Sequence, residues 1–125
     1  MCAQGDLVGR IKSRSSDQYG RWSTMLLQGK DTKTIAVICA YQVCVKPTNK
    51  VGGSAYSQQE AAFCSEQRTN TNPRVNFKRN LLKYIQQLQS KGYLIILMGD
   101  FNEHVRSTIR TCMFSYMGIT PWGHY

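Results

Sequence analysis

Asp100 and Asn102 stand two residues apart behind the run Leu94-Ile95-Ile96-Leu97-Met98-Gly99, with Phe101 between them. A carboxylate can take a proton from water, and a carboxamide can donate hydrogen bonds to an anionic oxygen. In an extended chain a spacing of two puts both groups on one side and Phe101 on the other. A competing use of the same residues is local. Asp and Asn after a strand often bond only their own backbone, as an Asx turn.

The element that must position this pair is the apolar run itself. Five apolar residues without a break read as a strand buried on both faces. Gly99 lets the backbone leave the sheet without a Cβ clash. Asp100 and Asn102 then lie just past the strand's carboxyl end, where α/β folds place their sites.

Further elements follow from pattern. Leu7-Val8-Gly9-Arg10-Ile11 reads as a short strand, and Ser13 to Asp17 as a polar loop. Trp22 to Gln28 reads as a strand, and Gly29-Lys30-Asp31 supplies a turn. Thr34 to Tyr41 is β-branched and apolar on both faces, and completes an antiparallel hairpin. Gln42 to Tyr56 reads as a loop. Ser57 to Arg68 reads as a helix, with Ser57 as N-cap and Glu60 completing a capping box. Pro73 suits the first turn of a second helix reaching Ser90, and Phe77, Leu81, Tyr84, Ile85 and Leu88 form its apolar stripe. Gly92 caps that helix. Arg106 to Tyr116 reads as a further helix. Strand, helix pair, strand is the rhythm of a layered α/β domain.

The 125 residues suffice for one small domain, and a hydrophobic share of 42% is enough to bury a core. Sixteen Lys and Arg against seven Asp and Glu give a formal net charge of +9, which favours polyanions. The basic residues are scattered, so a dedicated basic arm is excluded. Lys46 and Lys50 in the loop, and Arg106 beyond the acid, are the candidate nucleic-acid contacts. Cys2, Cys39, Cys44, Cys64 and Cys112 show no C-x-x-C spacing and read as buried, reduced thiols. The opening residues lack the apolar core of a signal peptide, and no run is long enough to span a bilayer. A soluble, intracellular protein, in nucleus or cytoplasm, is the expectation.

Three linked pieces carry a resemblance. They are Asp17-x-x-Gly20-Arg21-Trp22 entering a strand, Ile38-Cys39-Ala40-Tyr41 ending one, and Ile95 to Asn102 ending another. In that order, with a helix before the last, they resemble the endonuclease/exonuclease/phosphatase family, and the segments Gly20-Arg21-Trp22-Ser23, Ala40-Tyr41-Gln42-Val43-Cys44 and Ala55-Tyr56-Ser57-Gln58-Gln59 look most like its copies in mobile elements. The resemblance implies a two-sheet α/β sandwich and metal-dependent hydrolysis of phosphate esters. Residues 1–125 would be a single partial domain of that type. Asp100 would orient and deprotonate the attacking water, while Asn102 and the Tyr41 hydroxyl would hold the phosphate. Magnesium is the implied cofactor and nucleic acid the implied partner, DNA in preference to RNA. On residue type alone, Tyr41 has an alternative as a core tyrosine with its hydroxyl satisfied.

The chain departs from the family pattern at both ends. The family's metal-binding Glu comes from strands before the Gly-Arg-Trp segment, yet none of the 19 residues before Gly20 is Glu. Its late Asp-His pair should follow at a long interval, yet only 23 residues follow Asn102, and His124 adjoins Gly123. Val43-Cys44 stands where the family carries a polar, phosphate-touching position. His104 reads as a loop histidine with no carboxylate to orient it. The expectation is therefore a partial, phosphodiesterase-type domain with an incomplete catalytic set, lacking the family's N-terminal strands and C-terminal part. The alternative is an inactive basic remnant that binds nucleic acid.

Overall fold

The structure is a computed structural model and describes residues 1–44, 54–66 and 72–102. The expected helix over 106–116 lies outside them, as do Lys46, Lys50, His104, Arg106, Cys112 and His124. Four strands form one mixed sheet in the order β1-β2-β3-β4: Ile11–Ser16, Trp22–Gln28, Thr34–Tyr41 and Leu94–Asp100. Helices α1 (Ala55–Ser65) and α2 (Pro73–Ser90) lie between β3 and β4. β1-β2-β3 is an antiparallel meander, while β4 pairs parallel to β3, from Ile35↔Leu94 to Tyr41↔Asp100. Helices between parallel strands provide the long crossover that such pairing requires.

The hairpin and the second helix form as expected. β2 and β3 pair from Trp22↔Ala40 to Gln28↔Thr34. Pro73 opens α2, and the Asn72 side chain caps it by accepting from the Arg74 amide at 2.9 Å. Phe77, Leu81, Ile85 and Leu88 pack against Trp22, Ala36, Ile38 and Ala40, with Tyr84 at the margin. Gly92 follows the helix at φ +75°, as a C-terminal glycine does.

Several expectations are corrected. Leu7 to Arg10 belong to a 3₁₀ turn, Gly5–Arg10, rather than a strand, and Ser13 to Ser16, expected as loop, lie in β1. β1 is an edge strand with every residue after Ile11 exposed, so no apolar alternation marks it. The first helix begins at Ala55, not Ser57: Ser54 is the N-cap and its Oγ accepts from the Ser57 amide at 3.2 Å. Cys2, Cys39, Cys44 and Cys64 are free but exposed, not buried.

The largest correction concerns β3 and β4, which are not buried on both faces. Ala36, Ile38 and Ala40 face α2, while Cys39 and Tyr41 are exposed on the other face. In the same way Ile95 and Leu97 turn inward, whereas Leu94, Ile96 and Met98 are about half exposed, at 47–51%. An apolar run establishes that both sides of a strand are greasy, and says nothing about what covers each side. The described residues therefore give one sheet with helices on one face. A second sheet is not among them.

Candidate functional site

The candidate site lies where the parallel strands end. Tyr41 and Asp100 are register partners, so their side chains stand next to each other on the face away from α2. Both are exposed. Tyr41 is 44% exposed and so is not a core tyrosine, and no hydrogen-bond partner for its hydroxyl occurs among the described residues.

Gly99 does not lead the chain out of the sheet. It remains inside β4, opposite Ala40, and Asp100 is the last strand residue rather than the first beyond it. The chain turns after Asp100 through an Asx turn, in which Asp100 Oδ1 accepts from the Asn102 amide at 2.9 Å. Asn102 adopts φ +45°, a left-handed conformation that Asn tolerates better than most residues. The local use and the rim position of Asp100 thus coexist. One oxygen serves the turn, and Oδ2 has no partner among the described residues.

Asn102 does not line up beside Asp100 as a free donor. Its Nδ2 gives a hydrogen to the Gln42 carbonyl at 2.6 Å, and the residue is half-buried. One of its two amide hydrogens is therefore spent on structure. Phe101 points to the opposite side, as alternation requires, and packs near Phe77 with ring centroids 6.4 Å apart.

The residues that hold this rim were not singled out from the sequence. Gln42 is fully buried and ties the ends of β3 and β4 together. Its amide donates to the Asp100 carbonyl at 2.8 Å, and its Nε2 donates to the Phe101 carbonyl at 2.9 Å. Arg74, in the first turn of α2, donates through Nη1 to the Val43 carbonyl and through Nη2 to the Asn102 carbonyl at 3.1 Å. Val43 is buried. No local periodicity reports such a bracket, because its members lie as far as 60 residues apart.

Arg21 is the second feature missed. It is 2% exposed, and its guanidinium grips Asp17 with two bonds, Nε to Oδ2 at 2.6 Å and Nη2 to Oδ1 at 3.0 Å. Nη1 donates to Asn76 Oδ1 at 3.2 Å, and the group lies over the rings of Tyr19 and Trp22 at 4.9 and 4.8 Å. Tyr19 donates its hydroxyl to Glu66 at the end of α1. The Asp-x-x-Gly-Arg-Trp motif is thus a structural clasp joining the β1–β2 turn to both helices. The signal was the acid-to-arginine spacing inside that motif.

Among the described residues no group of three acids, histidines or cysteines gathers to hold a metal ion. Mg²⁺ asks for octahedral oxygen ligands, drawn from one or two carboxylates plus substrate and water. Among the described residues, Asp100 is the sole carboxylate at the rim, with one oxygen engaged in the turn. Both oxygens of Asp17 belong to Arg21. Asp6 sits in the 3₁₀ turn that leads into β1, at the far end of the strands. A cavity of about 270 Å³ lined by Ser15, Ser16, Asp17, Gln18, Trp22 and Tyr84 opens elsewhere.

No family model matches the chain, and no curated protein matches it. Among solved structures, a β-hairpin deletion mutant of beta toxin from Staphylococcus aureus superposes with a TM-score of 0.48 at 12% identity. The match covers 89% of this chain and 38% of that one.

Proposed function

We propose that the chain is a phosphodiesterase-type domain that acts on nucleic acid, DNA in preference to RNA, with an incomplete catalytic set. The observation carrying this reading is the pairing of Tyr41 with Asp100 at the carboxyl ends of parallel strands, on the exposed face. Asp100 Oδ2 accepts the proton of an attacking water. The Tyr41 hydroxyl donates to a non-bridging phosphate oxygen, and the remaining Asn102 amide hydrogen reaches the same group. These roles need a base and a donor side by side, and the rim provides both. Magnesium enters the reading through the family resemblance alone. Among the described residues no group of three acids, histidines or cysteines gathers to cage it. The second reading is a basic domain that binds nucleic acid without cleaving it, favoured by the charge of +9.

Two substrates separate these readings. Plasmid DNA has a poor leaving group, and in Mg²⁺ the wild type should nick it no faster than Asp100→Ala. Bis(p-nitrophenyl) phosphate carries a good leaving group and needs no acid to protonate it. Its slow hydrolysis should fall by about a hundredfold in Asp100→Ala, the usual worth of a positioned base. Equal rates for wild type and variant on the activated ester would remove the hydrolytic reading and leave the binding one. Rapid plasmid nicking abolished by Asp100→Ala would show that the catalytic set is complete.

A further inference from the structure

A group of five exposed cations lies at the other end of the sheet. Arg10, Lys12 and Arg14 line β1 and its entry, and Lys30 and Lys33 flank the β2–β3 turn; all five are exposed. The register Ile11↔Leu27 sets the start of β1 beside that turn. The Lys12 side chain crosses the end of β2 to donate to Thr34 Oγ1 in β3 at 3.1 Å, next to Lys33. The turn is closed by Gly29 N to Lys33 O at 2.7 Å and Lys33 N to Lys30 O at 3.2 Å, so its lysines ride on a fixed hairpin. None of the five has an ion-pair partner among the described residues. Asp6, Asp17 and Asp31 are the acids nearest in sequence, and Asp17 is held by Arg21.

Charge on an edge strand has a plain purpose, since lysines there discourage edge-to-edge pairing. That purpose does not account for this pattern. β4 is the other edge, longer and apolar on its exposed side, and it carries no charge from Leu94 to Gly99. Among the described residues, the edge with more need of protection carries no charge of its own from Leu94 to Gly99. Lys30 and Lys33, moreover, stand on a turn and guard no edge.

We infer that the β1 edge and the β2–β3 turn form a docking surface for the phosphate backbone of a nucleic-acid duplex. The surface deepens the binding half of the function proposed above and is independent of the hydrolytic half. It is a ridge rather than a plane, because Lys12 reaches along the α2 side of the sheet while Arg14, partner of Met25, lies on the other. A rod of phosphates straddles such a ridge. An anionic membrane would call for a broad apolar stripe beside the charges, where Leu7 and Val8 are an exposed pair, while Leu94, Ile96 and Met98 lie on the opposite edge strand. The seven residues of β4 separate this surface from Asp100 by roughly 20 Å, so a bound duplex of more than about six base pairs reaches both.

The test is metal-free binding of a fluorescent duplex of about twelve base pairs to the full chain, titrated between about 50 and 200 mM salt. The variant Arg14→Gln/Lys30→Gln/Lys33→Gln is compared with Arg79→Gln/Lys83→Gln/Lys91→Gln, which removes the same charge from α2 and its C-terminal end. Circular dichroism checks that both remain folded. The first triple should weaken binding about tenfold or more and flatten the log–log salt slope by about two to three. The second should keep the wild-type slope. Equal losses in both triples would overturn the surface while leaving nucleic-acid binding in place. A wild type that shows no salt-dependent binding would overturn both. Tighter binding to phosphatidylserine vesicles than to duplex, lost in the first triple, would reassign the surface to membranes and overturn the proposal.

Discussion

Gly99→Ala should unfold the chain or leave it barely folded. A Cβ at Gly99 would lie 1.8 Å from the Ala40 carbonyl oxygen, 2.7 Å from its carbon and 2.9 Å from the Ala40 nitrogen. All three are backbone atoms of the neighbouring strand, so no side-chain rotation relieves the clash. The residue also adopts φ +146°, which L side chains rarely adopt. The β3–β4 ladder must then part where Tyr41 and Asp100 meet. The expected cost is roughly 4 kcal/mol or more, the size reserved for backbone strain and core disruption. Gly92→Ala is the control. Its φ is also positive, at +75°, but nothing lies within 4 Å of the added methyl. It should cost about 1 kcal/mol. Urea midpoints of the two variants check the difference, and equal midpoints would mean that β4 does not approach β3 as described.

Arg21→Ala should be nearly as damaging, by about 3–5 kcal/mol, because it strands a carboxylate that is itself almost buried. Asp17 has a side chain only 8% exposed, and the backbone amides of Tyr19 and Arg21 would be its remaining donors. Arg21→Lys should rescue little. An ammonium cannot make the two-pronged bond to Asp17 while lying flat against Tyr19 and Trp22. The double change Arg21→Met/Asp17→Leu should recover much of the loss, since it removes the charge together with its partner. Thermal unfolding of the three variants would decide the matter. A double variant as unstable as Arg21→Ala would show that the stacked rings, rather than the ion pair, carry the clasp.

How much of this was legible follows from what each residue's neighbours are. α2 was readable because its stripe repeats with a single period against a single surface. β2 and β3 were readable because apolar residues and a turn stand in the order a hairpin needs. β1 was not, since an exposed edge strand of Lys, Ser and Arg differs from a loop only in its ladder to β2. β4 was placed correctly but wrongly buried. The rim pair was legible in part. Tyr41 and Asp100 each end a strand, and the parallel register makes them neighbours. The diversion of Asn102 to the Gln42 carbonyl was not legible, because that bond depends on how two distant loops meet.

The bracket of Gln42 and Arg74 also has a consequence in time. The amide hydrogen of Gln42 is held by Asp100, that of Asn102 by the same residue's side chain, and both loops are pinned by an arginine in the first turn of α2. Arg74 thus ties the opening of both segments to the start of the helix. Gln42, Asn102 and the first turn of α2 should exchange as one opening unit, with a common rate and a common temperature dependence. Arg74→Ala should uncouple them, quickening Gln42 and Asn102 while Ile38 and Ile85 keep their protection. The acid at the rim would then keep its place in space but lose its clock.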